Sequence, residues 1–200
     1  MYRNCKLFLS LKRQIQCPGF ASFYVEMIIG VDRSGRENDL PLVYAAVRGK
    51  TKTLLKELKD KFPTREVLKS KHMRKEELRE AYGLYKGDKG IWVVSSQDYL
   101  DFRRKNPNIP KWKQKFARFG YFEAIVRIVQ EGDRVLLCPD FIEEDMKGLI
   151  CDYLERRLRN KVSDVRVEVG DKSREEIQVA DIIAGAVRKN KLYKSRVRGH

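Results

Sequence analysis

Three aspartates stand where a carboxylate is costly. Asp32 closes the apolar run Met27-Ile28-Ile29-Gly30-Val31, and Asp140 closes Val135-Leu136-Leu137-Cys138-Pro139. Asp181 interrupts Ile177-Gln178-Val179-Ala180 and Ile182-Ile183-Ala184. A lone charge in such surroundings is unfavourable unless something pairs with it. Three carboxylates converging from two strand ends and a helix would offer hard oxygen donors to a divalent cation, Mg²⁺ or Mn²⁺. Cations held in that way neutralise an anionic phosphodiester and lower the pKa of an attacking water. Taken singly, Asp32 and Asp140 also suit the start of a turn, so the chemistry depends on all three meeting.

Asp181 is the most informative of them. On a helix, Val179, Ile182, Ile183, Ala186 and Val187 form one broad apolar face, while Gln178, Asp181, Gly185 and Arg188 fall on a separate line. Asp181 is far from either helix end, which rules out a capping role. Gly185, one turn further on, weakens a helix unless another part of the chain must come close there. A solvated aspartate on an outer face competes with a functional one; nearly all its neighbours are apolar or small, which favours function.

The elements that would position these residues follow from pattern and punctuation. Residues 27–32 and 40–47 read as a strand hairpin joined by turn residues at 33–39, with Pro41 at the start of the second strand. Helices are predicted over 53–62, stopped by Pro63, and over 74–85, 97–105, 112–130 and 143–159. Strands are predicted at 91–94 and 134–138, and at 165–169, where Val-Arg-Val-Glu-Val alternation marks a half-exposed edge. Ser173, with Glu176 three residues later, reads as the cap of a last helix running to 190. The result is a mixed-sheet α/β domain of about five strands with helices on both faces. In open sheets of this kind, ligands gather at the carboxyl ends of strands, where Asp32 and Asp140 are expected. Residues 1–26 fit no such pattern and read as a basic extension, either flexible or a misassigned start; 191–200 reads as a basic tail ordered only by a partner.

Composition points to the substrate class. The chain has 200 residues, 43 Lys and Arg against 28 Asp and Glu, and a net charge of +15. Such an imbalance favours a polyanionic partner, DNA or RNA first. Between 101 and 122, cations alternate with Trp112, Phe116, Phe119, Tyr121 and Phe122. The helical spacing of Trp112, Phe116 and Phe119 places rings in the core and leaves a basic outer face. Cys5, Cys17, Cys138 and Cys151 contain no Cys-x-x-Cys pair, and His72 and His200 are the only imidazoles, so zinc is not expected. Cysteine use suits a reducing cytoplasmic setting, and no apolar run reaches membrane-spanning length. The sequence gives no oligomeric state.

Several of these segments also carry a resemblance. Ile29-Gly30-Val31-Asp32-Arg33-Ser34-Gly35 resembles the Asp-Glu-Ser-Gly strand end of the ribonuclease-H-like domain-of-unknown-function family 3800. The segment 172–185, with Gln178, Ala180 and Asp181, resembles that family's closing Leu-Gln-x-Ala-Asp helix, and 135–140 is similar to its central strand ending in Asp. Leu68-Lys69-Ser70 is similar to its Glu-x-Lys-Ser segment, although Val67 stands where the Glu belongs and Glu66 lies one position away. Arg33 stands where the family has an acid. The resemblance spans 27 to about 189. It implies a ribonuclease-H-like domain over 27–190 and metal-dependent nuclease activity, with Asp32, Asp140 and Asp181 as ligands. Glu66 and Glu123 become alternative fourth carboxylates, and Lys69 a phosphate or water contact.

Two other readings compete. Residues 30–47 also look like the first hairpin of a type 2 ribonuclease H, but the glycine-arginine-glycine turn of that enzyme is broken by Glu37. Alternatively, the chain is a nucleic-acid-binding module without catalysis, in which Arg33 neutralises carboxylates that hold no metal.

Overall fold

The computed structural model describes residues 27–36, 39–65, 68–105, 107–108, 112–138, 156 and 166–193. The expected extension at 1–26, the helix at 143–159 apart from Arg156, Glu66, Asp140 and the tail from 194 lie outside the described residues.

The core is a five-stranded mixed sheet in the order β3-β2-β1-β4-β5. Its strands are β1 (Ile28–Arg36), β2 (Asp39–Arg48), β3 (Asp88–Val94), β4 (Arg134–Leu137) and β5 (Arg166–Val169). The first three form an antiparallel meander, and β4 and β5 run parallel to β1. The half-exposed Arg166–Val169 strand lies at the edge, as its alternation predicts.

Side-chain alternation sorts the helices. On one face, Val43, Ala45 and Val47 pack with α1 (Thr51–Lys61), α2 (Lys75–Leu84) and α5 (Glu175–Asn190). On the other, Ile29, Val31, Leu42, Tyr44 and Ala46 pack with α4 (Trp112–Ile125), flanked by α3 (Ser96–Lys105). Helices therefore cover both faces, and each face buries a continuous apolar layer, the dominant stabilising term in such a fold.

Several expectations are corrected. β1 does not end at Asp32. Pairing with β2 continues past the last β4 contact, Val31 with Leu137, to the Arg36–Asp39 pair, with a register shift at Gly35, whose φ is 103°. A bulge of that kind favours glycine. α4 stops at Ile125 rather than 130, because Ile128 and Val129 N–H both donate to the Ile125 carbonyl and turn the chain toward β4. Ser173 is not the cap of α5. Arg174 holds that position, and Asp171 instead accepts the Ser173 N–H at 2.6 Å. The last helix does run to Asn190, and its final turn is bonded to the body of the protein: Arg188 donates to the Pro41 and Asp39 carbonyls.

At the rim opposite the strand ends, Arg48 donates through Nε to both oxygens of Asp133 at 3.1 and 3.0 Å, and reaches Gln130 and Asp88. Asp133 is 1% exposed and would be untenable without that guanidinium.

Candidate functional site

Asp32 sits midway along β1, opposite Ala45, and therefore on the face covered by α5. Two close approaches align this helix with the strand. A Cβ on Gly30 would fall 2.2 Å from the Glu176 carbonyl carbon and oxygen, and one on Gly35 would fall 2.9 Å from Arg188 Nε. Asp181 lies between these two contact points on α5, as Asp32 does between theirs on β1. The packing of α5 on β1 thus sets the two residues at similar levels along strand and helix, although they are far apart in sequence. Asp32 is only 7% exposed, and its Oδ1 accepts the Arg33 N–H at 2.7 Å.

β4 is the neighbour of β1 on the other side. The Cys138 N–H donates to the Val31 carbonyl at 3.0 Å, so the chain leaves β4 level with Asp32. Asp140, two residues on, is outside the described residues. The β1 and β4 ends lie where the chain order departs in opposite directions across the sheet, the usual place for a ligand crevice. Asp171 follows β5 on the same rim, exposed. Hydrogen bonds from the Ser173 side chain and backbone hold it below the usual carboxylate range.

Asp181 has a partner that sequence reasoning missed. Its Oδ2 accepts the Ser70 N–H at 2.7 Å, and its Oδ1 accepts the Ser70 hydroxyl at 2.6 Å. Ser70 opens a short 3₁₀ turn, Ser70–His72, packed on α5. The close approach expected at Gly185 is this same residue: a Cβ there would come 2.3 Å from Ser70 Cβ. One turn further, Lys189 Nζ donates to the Ser70 and Met73 carbonyls at 2.8 and 3.1 Å, and Asn190 Nδ2 donates to Lys75 O at 3.0 Å. Asp181, Gly185 and Lys189, four residues apart, form one stripe of α5. The signal in the sequence was the internal helix glycine, which marks a close approach without indicating what approaches.

The remaining candidates fall elsewhere or beside this site. Lys69 directly precedes Ser70 and is half-buried in extended backbone. Glu123 lies on α4, across the sheet from α5, bonded to Arg127 at 3.1 Å. The Arg127 guanidinium in turn covers the Trp92 ring at 4.8 Å, toward the β3 edge. Arg33 pairs across the ladder with Tyr44, on the α4 face. Beneath it, Tyr121 is completely buried. Burial pushes its phenol well above the ordinary range, the Asp32 carboxylate adds to the rise, and Arg33 opposes it.

As donors, carboxylates suit Mg²⁺ or Mn²⁺, which take hard oxygen ligands, and Mg²⁺ retains several waters. Two or three carboxylates are therefore a sufficient set. Among the described residues, no group of three or more Asp, Glu, His or Cys side chains is arranged to hold a metal ion.

The fold is ribonuclease-H-like, a five-stranded mixed sheet flanked by helices. The solved structures it resembles include two of Bst-RNase HIII, one a point-substituted form and the other in complex with Mn²⁺. TM-scores are 0.56 and 0.55, identity is 18% in both, and each match covers 84% of this chain and 54% of the other. The chain thus spans about half the length of these structures. No family model and no curated protein matches. Among the described residues, no helix is long and apolar enough to cross a membrane.

Proposed function

We propose that this protein is a divalent-metal-dependent, nuclease-like phosphodiesterase acting on nucleic acid, of the kind found in domain-of-unknown-function family 3800. The observation that carries this reading is the packing of α5, which bears Asp181, along β1, which bears Asp32, next to β4. The net charge of +15 and the likeness to a fold solved with Mn²⁺ support it.

In this reading Asp32, Asp181 and Asp140 hold Mg²⁺ or Mn²⁺. The metal, when bound, offsets the negative charge of the phosphodiester and makes water a competent nucleophile. Asp32 contributes a carboxylate kept from solvent, where its charge acts strongly. Asp181 contributes one whose orientation is fixed by Ser70. Lys69, beside Ser70, contacts a phosphate oxygen of the substrate, and the basic surface attracts and aligns the polyanion.

A nucleic-acid-binding module without catalysis is favoured by one observation: both oxygens of Asp181 already accept hydrogen bonds from Ser70. One assay separates the two. Labelled single- and double-stranded DNA, RNA and hybrids are incubated with Mg²⁺, Mn²⁺ or EDTA. Metal-dependent cleavage that disappears in Asp181→Asn while binding persists supports the enzyme. Salt-sensitive binding with no cleavage under any metal condition replaces it with the binding module.

A further inference from the structure

We propose that Ser70 is a positioning residue for the metal-dependent reaction, acting through the carboxylate of Asp181. The inference rests on the functional reading above. An aspartate in mid-helix can rotate about two side-chain bonds. Here two donors from one residue grip separate oxygens, at 2.7 Å from N–H and 2.6 Å from Oγ, and so fix the carboxylate plane. Each oxygen keeps a second lone pair for another partner.

The hydroxyl is not needed to hold the turn in place. Lys189 already binds the Ser70 and Met73 carbonyls, and Asn190 binds that of Lys75. From the other side, Arg65 donates to the His72 carbonyl and is itself held by Glu77 at 3.0 and 2.8 Å. Ser70 is 7% exposed and fits only because Gly185 has no side chain. A buried hydroxyl on an independently anchored turn, directed at a single carboxylate, is suited to orienting that carboxylate. Groups that orient metal ligands in this way commonly control about 10–100-fold in metal affinity.

The test uses the full chain and Mn²⁺ alone, with free Mn²⁺ followed by electron paramagnetic resonance. Ser70→Ala is expected to raise the Mn²⁺ dissociation constant about 10–100-fold. The Mg²⁺ concentration for half-maximal cleavage should rise in parallel, while kcat at saturating metal stays within a few-fold. The thermal midpoint in EDTA should be nearly unchanged. In an Asp181→Asn background, adding Ser70→Ala should leave residual Mn²⁺ affinity as it was, because the group it acts through is gone. Wild-type Mn²⁺ affinity in Ser70→Ala overturns the inference, as does a loss of affinity matched by unfolding in EDTA or one that adds to that of Asp181→Asn. A wild-type chain that binds no Mn²⁺ overturns the underlying functional reading instead, and this inference with it.

Discussion

Gly30 and Glu176 meet backbone to backbone: a Cβ on the glycine would lie 2.2 Å from both the carbonyl carbon and oxygen of the glutamate. The first turn of α5 is thereby seated on β1, which fixes where Asp181 falls relative to Asp32. Gly30→Ala cannot be relieved by turning a flexible side chain, so the helix must shift. Overpacking of this kind costs about 1–3 kcal/mol or more. Urea denaturation should show that loss, and under the proposed function cleavage should fall further than the folded fraction does, because Asp181 shifts with the helix relative to β1. Wild-type stability in this variant would show that the contact is loose.

Gly185→Ala sets two effects against each other. Alanine gains about 1 kcal/mol of helix propensity over glycine. The new Cβ, however, would come 2.3 Å from Ser70 Cβ and 2.9 Å from its Oγ. The clash should win, giving net destabilisation and a higher Mg²⁺ requirement, as in Ser70→Ala. A more stable variant with an unchanged metal requirement would contradict this.

Asp32→Asn separates function from stability. A buried carboxylate contributes little to stability when its desolvation is counted, so the melting temperature in EDTA should hold or rise. Cleavage should fall by roughly 10²–10³, the scale on which one preorganised charged or polar group acts at a reacting centre. Retention of full activity would remove Asp32 from the site.

Asp133→Ala tests the opposite rim. It leaves the half-buried Arg48 without its principal anion but still bonded to Asp88 and Gln130, which should cost about 1.5–3 kcal/mol. Activity per folded molecule should be unchanged at a temperature well below the new midpoint, since the pair lies away from the carboxyl ends of β1 and β4.

The turn that carries Ser70 should weaken in acid. Burial pushes the Glu77 carboxyl up, but the Arg74 N–H and the Arg65 guanidinium outweigh this and leave it below its ordinary value of 4.5. A folded value below the unfolded one means a contribution complete above pH 4.5 and lost as pH falls through the folded value. Urea titrations between pH 5 and about 2.5 should therefore show a shallower loss of stability in Glu77→Gln than in wild type. Parallel curves would assign the acid sensitivity elsewhere.

Much of the architecture was legible because local patterns persist in the folded state. The apolar run at 27–31, the alternation at 165–169 and the apolar face from Val179 to Val187 each need only neighbours along the chain to be recognised. The ends of elements were less legible. β1 runs on to Arg36 because β2 supplies partners there, and α4 stops at Ile125 because the chain must return to β4. Both depend on contacts distant in sequence.

Residue type by itself marked Asp32 and Asp181 as costly charges and Gly185 as a point of close approach. Only the tertiary structure decided what approaches. Ser70 lies 111 residues from Asp181, and nothing in the spacing of a Lys-Ser segment indicates which helix it will pack against or which carboxylate it will hold. Hydrophobic periodicity specifies which face of an element is buried; the partner is chosen by how whole layers pack, where backbone approaches such as Gly30 on Glu176 set the alignment.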